Sequence, residues 1–147
     1  MLDSMHGVEQ LRQAVSAVLQ RRPEVLEAYL FGSQARGQAQ AHSDVDVAVF
    51  VDEEKAPRTG WGLDAELATE LMRQLGTSQV DVVVLNRAPP LLYHRVLRDG
   101  IRLFARDLLA TTAREGRALS RYCDYLPQLR KMGAVLEQRI LRGEFGK

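Results

Sequence analysis

The feature that most constrains this fold is a run in which valine recurs at every second position, Val45–Val51 with the sequence VDVAVFV. Valine is stiff at its branched Cβ and favours an extended backbone. Alternate side chains of a strand point to opposite faces of a sheet. The four valines therefore predict a strand that buries one face in a hydrophobic core. Asp46 and Asp44 fall on the other face, where their carboxylates project side by side.

A third aspartate has a similar place in a second apolar run. Asp81 lies in Val80–Leu85 (VDVVVL), where Val80, Val82 and Val84 share the opposite face. If the two strands are neighbours, Asp81 joins Asp44 and Asp46. Mg²⁺ would offset the repulsion within such a group, since it prefers oxygen ligands. Three carboxylates can hold two metal ions that clamp a phosphoryl or nucleotidyl transfer. The alternative is a set of solvated aspartates at strand edges.

The dipeptide Gly32-Ser33 follows another predicted strand and precedes Asp44 by ten intervening residues. Glycine at a strand exit permits a tight turn and a close approach of the backbone. Ser33 opens a short predicted helix whose free N–H groups suit a phosphate. Arg36, one turn further on, is placed to meet phosphate oxygens. A Gly-Ser pair alone also fills ordinary turns, so its weight comes from the spacing to the aspartates.

Periodicity along the remaining sequence predicts alternating helices and strands. The predicted helices cover 7–21, 33–37, 63–75 and 89–97, and the predicted strands cover 25–31, 45–51, 80–85 and 101–105. This order predicts a single α/β domain with a mixed, mainly antiparallel sheet. We expect helices packed on one side of that sheet and an active site on its open face.

The carboxyl-terminal part of the chain reads as a helical arm. Residues 1–106 are predicted to form the core, and residues 107–147 an arm of the same domain that binds a partner. Pro127 either kinks the arm or starts a second helix, because proline is tolerated in a first turn but not in a helix interior. Three arginines at helical spacing form a solvated face or a docking face for an acidic or helical partner: Arg114, Arg117 and Arg121.

Composition excludes several classes of protein. The 147 residues are 46% hydrophobic and 27% charged, which is ordinary for a globular domain. A net charge of +1 gives no strongly basic footprint for nucleic acid. Cys123 is the one cysteine, which excludes an internal disulfide and a thiolate zinc cluster. With no secretory leader and no apolar run of ~18–20 residues, we expect a cytoplasmic protein that binds neither membrane nor nucleic acid directly.

Two segments together resemble a known signature. Leu30–Gly37 (LFGSQARG) followed by Ser43–Val49 (SDVDVAV) is similar to the nucleotidyltransferase signature of the DNA polymerase β superfamily. The short chain and the Arg-Gly after Gly-Ser look most like the minimal nucleotidyltransferase (MNT) group. Members of that group pair with small helical HEPN proteins as toxin–antitoxin systems. The resemblance covers residues 8–106, and the arm, with Tyr122–Pro127 (YCDYLP), also looks like that of MNT antitoxins.

The resemblance implies a nucleotidyltransferase fold and an antitoxin that acts as a protein adenylyltransferase. Such an enzyme moves AMP from ATP to a tyrosine hydroxyl of its HEPN toxin, releases pyrophosphate and silences the toxin's RNase. Asp44 and Asp46 would bind both Mg²⁺ ions of a two-metal site. Asp81 would bind one of them and help deprotonate the acceptor. The implied partners are ATP and the cognate HEPN toxin, in a hetero-oligomer.

The same resemblance assigns the nucleotide-binding residues. Gly32 and Ser33 would hold the triphosphate, and Arg36 and Ser43 would belong to the same site. Two alternatives remain open at this point. The acceptor can be a small molecule such as an aminoglycoside, or the protein can be a catalytically silent antitoxin that binds its partner.

Overall fold

The computed structural model describes residues 4–32, 44–56 and 62–141. Within these ranges, helices and strands alternate as the sequence predicts. The helices are α1 (Ser4–Gln20), α2 (Leu63–Leu75), α3 (Pro90–Asp99) and α4 (Leu108–Leu141), with a 3-10 turn at Leu85–Arg87. The strands are β1 (Val25–Phe31), β2 (Val45–Val51), β3 (Val80–Val84) and β4 (Ile101–Ala105).

Several boundaries differ from prediction, and α1 begins at Ser4 instead of residue 7 and ends at Gln20. β3 ends at Val84 because Leu85 already begins the 3-10 turn, and α3 continues to Asp99 instead of ending near Leu97. Gly76 ends α2 as expected, in a left-handed conformation with φ 70°. The predicted short helix at 33–37 lies outside the described residues.

The four strands form one mixed sheet in the order β3-β2-β1-β4. β1 pairs antiparallel with both β2 and β4, whereas β2 pairs parallel with β3. The prediction of a mixed, mainly antiparallel sheet is therefore confirmed. Because β1 runs against β2 and β3 runs with it, the end of β1 lies beside the beginnings of β2 and β3. Residues at those three positions meet at one end of the sheet.

One face of the sheet carries the main hydrophobic core. The alternating valines of β2 and β3 lie on this face and pack against α1 and α2. Val15 and Leu19 of α1 and Leu67 and Leu71 of α2 are almost fully buried there. Burial of side chains of this size contributes about 1.5–3 kcal/mol each, so this face accounts for most of the hydrophobic stabilisation.

The opposite face is also partly covered, which corrects the prediction that helices pack on one side. Tyr29 of β1 and Ala48 of β2 form a second cluster with Tyr93 and Val96 of α3 and with Ala118 of α4. Apart from Glu27 and Asp46, the β1 and β2 side chains on this face are aromatic or small and apolar, so they also need cover. The predicted open face is therefore confined to the part of the sheet beyond this cluster.

Polar contacts fix the first turns of α4 to the central strand. The Glu27 side chain is fully buried and accepts two hydrogen bonds from Arg114, Nε–Oε2 at 2.9 Å and Nη2–Oε1 at 2.5 Å. The Thr111 hydroxyl donates to the same carboxylate at 2.8 Å, and the Tyr29 hydroxyl donates to Glu115 at 3.1 Å. Arg114 is therefore part of the internal packing, whereas the sequence alone placed it on a solvated or docking face.

The remainder of α4 leaves the sheet. The helix is continuous through Pro127, so the proline does not start a second helix. Residues 131–138 are all exposed. In the part of the chain that the structure describes, none of the helices has the length and apolar character needed to cross a membrane.

Candidate active site

The three aspartates singled out in the sequence gather at the end of the sheet where β2 and β3 begin. Asp44 immediately precedes β2 and is exposed, Asp46 is half-buried within β2, and Asp81 is exposed within β3. Asp46 and Asp81 are direct register partners in the parallel pair. Register partners on neighbouring strands project from the same face, so these two carboxylates lie side by side as the alternation predicts.

Gly32, at the exit from β1, lies against this group. Its neighbour Phe31 is the register partner of Asp46. Gly32 has φ 75°, a left-handed conformation that residues with a Cβ rarely adopt. A Cβ at this position would also overlap Oδ2 of Asp46 and come within 3.1 Å of its Cγ. The site therefore needs glycine here both for the turn and for the space that the carboxylate fills.

Electrostatics at the site disfavour the ionised form of Asp46. Burial raises the pKa of Asp46 above its usual value, and the negative charges of Asp81 and Asp44 raise it further. Three carboxylates that act on one another in this way attract positive charge. A cation, or a proton on Asp46, would relieve the repulsion.

The donor set suits a hard divalent cation such as Mg²⁺, which prefers carboxylate oxygens together with substrate phosphates. The Asp46 carboxylate lies against Gly32 and is repelled by the charge of Asp81. Both features are consistent with binding of such an ion. Within residues 4–32, 44–56 and 62–141, however, no set of three or more His, Cys, Asp or Glu side chains is gathered tightly enough to hold a metal without further ligands. A bound nucleotide would have to supply part of the coordination shell.

The structure describes only part of the predicted nucleotide site. Gly32 is placed beside the aspartates, as the spacing to Asp44 and Asp46 predicts. Ser33, Arg36 and Ser43 lie outside the described residues. The close contact between Gly32 and Asp46 was not predicted, because the sequence suggested approach of Gly32 to a phosphate and gave no sign of the carboxylate behind it.

Comparison with known proteins assigns the family. Residues 13–108 match the polymerase beta nucleotidyltransferase family, and this range contains Gly32 and all three aspartates. This chain belongs to that nucleotidyltransferase family. The family assignment confirms the predicted fold and the predicted enzyme class.

Two curated relatives of this nucleotidyltransferase are named protein adenylyltransferase MntA. The one from Aphanizomenon flos-aquae is 32% identical over 111 residues, which cover 71% of this chain and 73% of the relative. The one from Shewanella oneidensis is 33% identical over 82 residues, or 56% of this chain and 55% of the relative. The second match thus spans about half of each protein.

Solved structures with the same fold include two toxin–antitoxin assemblies. One is a toxin–antitoxin with AMP-PNP, with a TM-score of 0.70 and 24% identity over 85% of this chain and 98% of that chain. The other is a tri-AMPylated Shewanella oneidensis HEPN toxin in complex with MNT antitoxin, with a TM-score of 0.66 and 22% identity over 88% and 98%. At these identities the likeness establishes the fold.

Proposed function

We propose that this nucleotidyltransferase is an antitoxin that transfers AMP from ATP to a hydroxyl group, a tyrosine in the first instance, of a HEPN toxin. The observation that carries the proposal is the register pairing of Asp46 with Asp81, with Gly32 held against Asp46 at an exposed end of the sheet. Two further facts support it. The relative that is 32% identical over most of both chains is named a protein adenylyltransferase, and one chain of a solved HEPN toxin–MNT antitoxin complex shares the fold.

The reaction needs one bond made and one bond broken at phosphorus. The acceptor hydroxyl oxygen bonds to the α-phosphorus of ATP, and the bond from that phosphorus to the oxygen bridging the β-phosphate breaks. Pyrophosphate leaves, and the hydroxyl proton passes to a carboxylate. We assign that role to Asp81, because it is exposed on the same face as Asp46 and is open to an incoming acceptor.

The remaining residues bind and neutralise the triphosphate. Mg²⁺ ions, when bound, would supply positive charge against the phosphates, and Asp44, Asp46 and Asp81 are the residues that would hold them. Gly32, with no side chain, allows the backbone to approach the nucleotide. We propose that three further residues complete the site and contact the phosphates or the sugar: Ser33, Arg36 and Ser43.

We propose that two parts of the chain have different roles in the reaction with the toxin. We propose that residues 1–106 supply the catalytic core and that residues 107–147 contribute to toxin binding. The first turns of α4 pack on β1 and join the arm to the core, while the exposed residues 131–138 offer a surface for the toxin. We propose that the reaction takes place in the cytoplasm, without direct contact to nucleic acid or membrane.

The decisive test is transfer of label from nucleoside triphosphates labelled at the α-phosphate. The protein would be incubated with Mg²⁺, each of the four nucleotides in turn, and the protein encoded by the neighbouring gene. The double variant Asp44→Asn/Asp46→Asn removes two carboxylates from the site. Asp52→Asn is the matched control, because Asp52 follows β2 at its opposite end.

Label on the partner with ATP, lost in the double variant and kept in the control, is the expected result. Label on a small molecule and on no protein would show that the acceptor is a small molecule and not a protein. If the double variant still neutralises the toxin as well as the wild type, the antitoxin acts by binding alone and the transfer proposal fails.

A further inference from the structure

β3 lies at an edge of the sheet, and among the described residues no strand pairs with its outer side. The Val45 N–H donates to the Gln79 carbonyl at 2.7 Å. This bond determines which residues of β3 direct their backbone groups to β2. Asp81 and Val83 consequently direct their N–H and C=O groups to β2. Val80 and Val82 direct theirs outward. Among the described residues, nothing forms a hydrogen bond with these outward groups.

Among the described residues, few features at this edge discourage strand pairing, although β3 is only five residues long. β3 has the sequence VDVVV, with no lysine and no proline. Natural edge strands are usually protected by charged side chains, proline, bulges or a covering segment. The one charge on β3 is Asp81, which lies at the catalytic end. The rest of the strand can accept another extended segment.

A cleft of about 720 Å³ opens along the same edge. Val82 and Val84 line it together with Leu63 at the start of α2 and with Arg87 and Leu92 beyond β3. Its walls thus combine apolar side chains with charge. The volume lies within the range of ~300–1,000 Å³ that is usual for ligand pockets. The cleft therefore borders Val82 on the edge strand and has room for part of a peptide chain.

A strand added to this edge would bring one of its side chains to the site. Asp81 directs its backbone groups away from the added strand, so in an antiparallel addition the residue opposite it belongs to a non-hydrogen-bonded pair. The Cα atoms of such pairs are about 4.5 Å apart and their side chains are close. That side chain would project from the face that Asp81 shares with Asp46.

We propose that the protein acceptor binds as an extended segment hydrogen-bonded to the free edge of β3, with its hydroxyl-bearing residue opposite Asp81. This inference rests on the proposed function and specifies how that function selects its acceptor. Main-chain hydrogen bonds to Val80 and Val82 fix the register of the segment. The cleft receives the side chains that precede or follow the acceptor residue. The acceptor must therefore be able to unfold locally into a strand.

Amide hydrogen exchange measures the contact directly. The Asp44→Asn/Asp46→Asn variant would be mixed with the protein encoded by the neighbouring gene, without nucleotide, and exchange followed by NMR. We expect the amides of Val80 and Val82 to exchange at least about tenfold more slowly in the complex. The amides of β4, at the opposite edge of the sheet, are the internal control. Equal exchange at Val82 with and without the partner would overturn the proposal.

A pair of substitutions tests the same contact through the reaction. Val82→Pro removes the outward N–H while leaving the bonds between β2 and β3, because Asp81 and Val83 supply those. Val82→Ala is the matched control, since it loses core packing but keeps the N–H. We expect Val82→Pro to transfer AMP to the partner about tenfold or more slowly than Val82→Ala, with equal affinity for ATP. Equal transfer rates would contradict strand addition.

These experiments distinguish failure of strand addition from failure of the proposed function. If the wild-type protein labels no protein, the proposed function itself fails and the inference fails with it. If the wild type labels its partner while Val82 stays unprotected and the two Val82 variants react equally, only the strand addition fails. If Val82→Pro does not fold, the exchange measurement, which uses unaltered β3, decides the matter.

Discussion

The carboxylate of Asp46 occupies the space that a side chain at position 32 would need. A Cβ on Gly32 would overlap Oδ2 of Asp46, and the backbone of Gly32 has φ 75°. Backbone conformation and packing therefore both require glycine at the exit from β1. The pairing of Phe31 with Asp46 keeps the two positions together.

Gly32→Ala separates these requirements when it is compared with Gly76→Ala. Gly76 has φ 70°, but a Cβ added there would meet none of the described residues within 4 Å, so its variant bears the backbone strain alone. We expect both to lose about 1–2 kcal/mol of unfolding free energy. Only Gly32→Ala should also lose nucleotide transfer, by about 10²-fold, because it displaces a carboxylate of the site. Urea unfolding and the labelling assay measure the two effects. Equal activity of both variants would show that Asp46 tolerates displacement.

Asp46→Asn should stabilise the free protein at neutral pH while abolishing transfer. Burial and then the charges of Asp81 and Asp44 raise the pKa of Asp46 in the folded state. The unfolded chain therefore releases this proton at lower pH than the folded one, and stability falls as pH rises through the interval between the two pKa values. The Asp46→Asn variant should not show this loss of stability with rising pH. Thermal unfolding at pH 4 and pH 7 checks it, and a Tm difference between those pH values as large as in the wild type would contradict it.

Arg114→Met should be strongly destabilising. It leaves the fully buried Glu27 carboxylate without its cation, and such uncompensated charges cost about 3–5 kcal/mol. The double variant Glu27→Met/Arg114→Met should recover most of that loss, because replacing a buried ion pair by apolar residues is often neutral. Arg117→Met, on an exposed position of the same helix, is the control. Urea denaturation of the wild type, Glu27→Met, Arg114→Met and the double variant gives the coupling energy. Additive losses would mean that the pair is not coupled.

Two buried tyrosines should respond oppositely to replacement by phenylalanine. Tyr29 donates a hydrogen bond to Glu115, whereas the buried hydroxyl of Tyr93 has no partner among the described residues. Tyr29→Phe should cost about 1–2 kcal/mol, and Tyr93→Phe should leave stability unchanged or raise it by up to about 1 kcal/mol. Chemical denaturation at pH 7 measures both. A loss at Tyr93 equal to that at Tyr29 would indicate a bound water.

The Tyr93 comparison extends to alkaline pH. Burial, followed by the charge of Glu27, raises the pKa of Tyr93 from 10.0 to about 12. The stability that depends on its protonated form is therefore present below pH 10 and lost as pH rises towards 12. The advantage of Tyr93→Phe over the wild type should grow in that interval. Alkaline unfolding curves of the two proteins provide the check, and parallel curves would contradict it.

Local patterns predicted most of the fold. β1, β2, β4 and α2 begin and end where the alternation of apolar residues and the breakers around them indicate. The second face of the sheet was harder to predict. Tyr29 and Ala48 lie among residues that also include Asp46 and Glu27, so their alternation resembles that of a solvated face. Only the distant partners in α3 and α4 show that it is covered.

The site was predictable where its chemistry lies in short-range spacing. Asp44 and Asp46 share a face because they are two residues apart. Asp81 joins them because β2 and β3 are neighbours, whereas the sequence alone could only state what would follow if these strands were adjacent. Arg114 shows the limit of such reasoning. Its spacing from Arg117 is that of an exposed helix face, yet it pairs with Glu27 across a sequence separation of 87 residues. Periodicity carries no information about a partner so far away.

That separation has a consequence for the order in which the protein can fold as it is synthesised. Glu27, Asp46 and Asp81 all leave the ribosome before Arg114 does. Until the first turns of α4 emerge, the face of the sheet that carries Glu27 and Tyr29 lacks part of its cover, and Glu27 lacks its cation. A nascent chain interrupted after β4 therefore carries all three aspartates and the main core but lacks the helix that covers part of the second face of the sheet. The catalytic face should therefore reach its full stability only after the first turns of α4 have been synthesised.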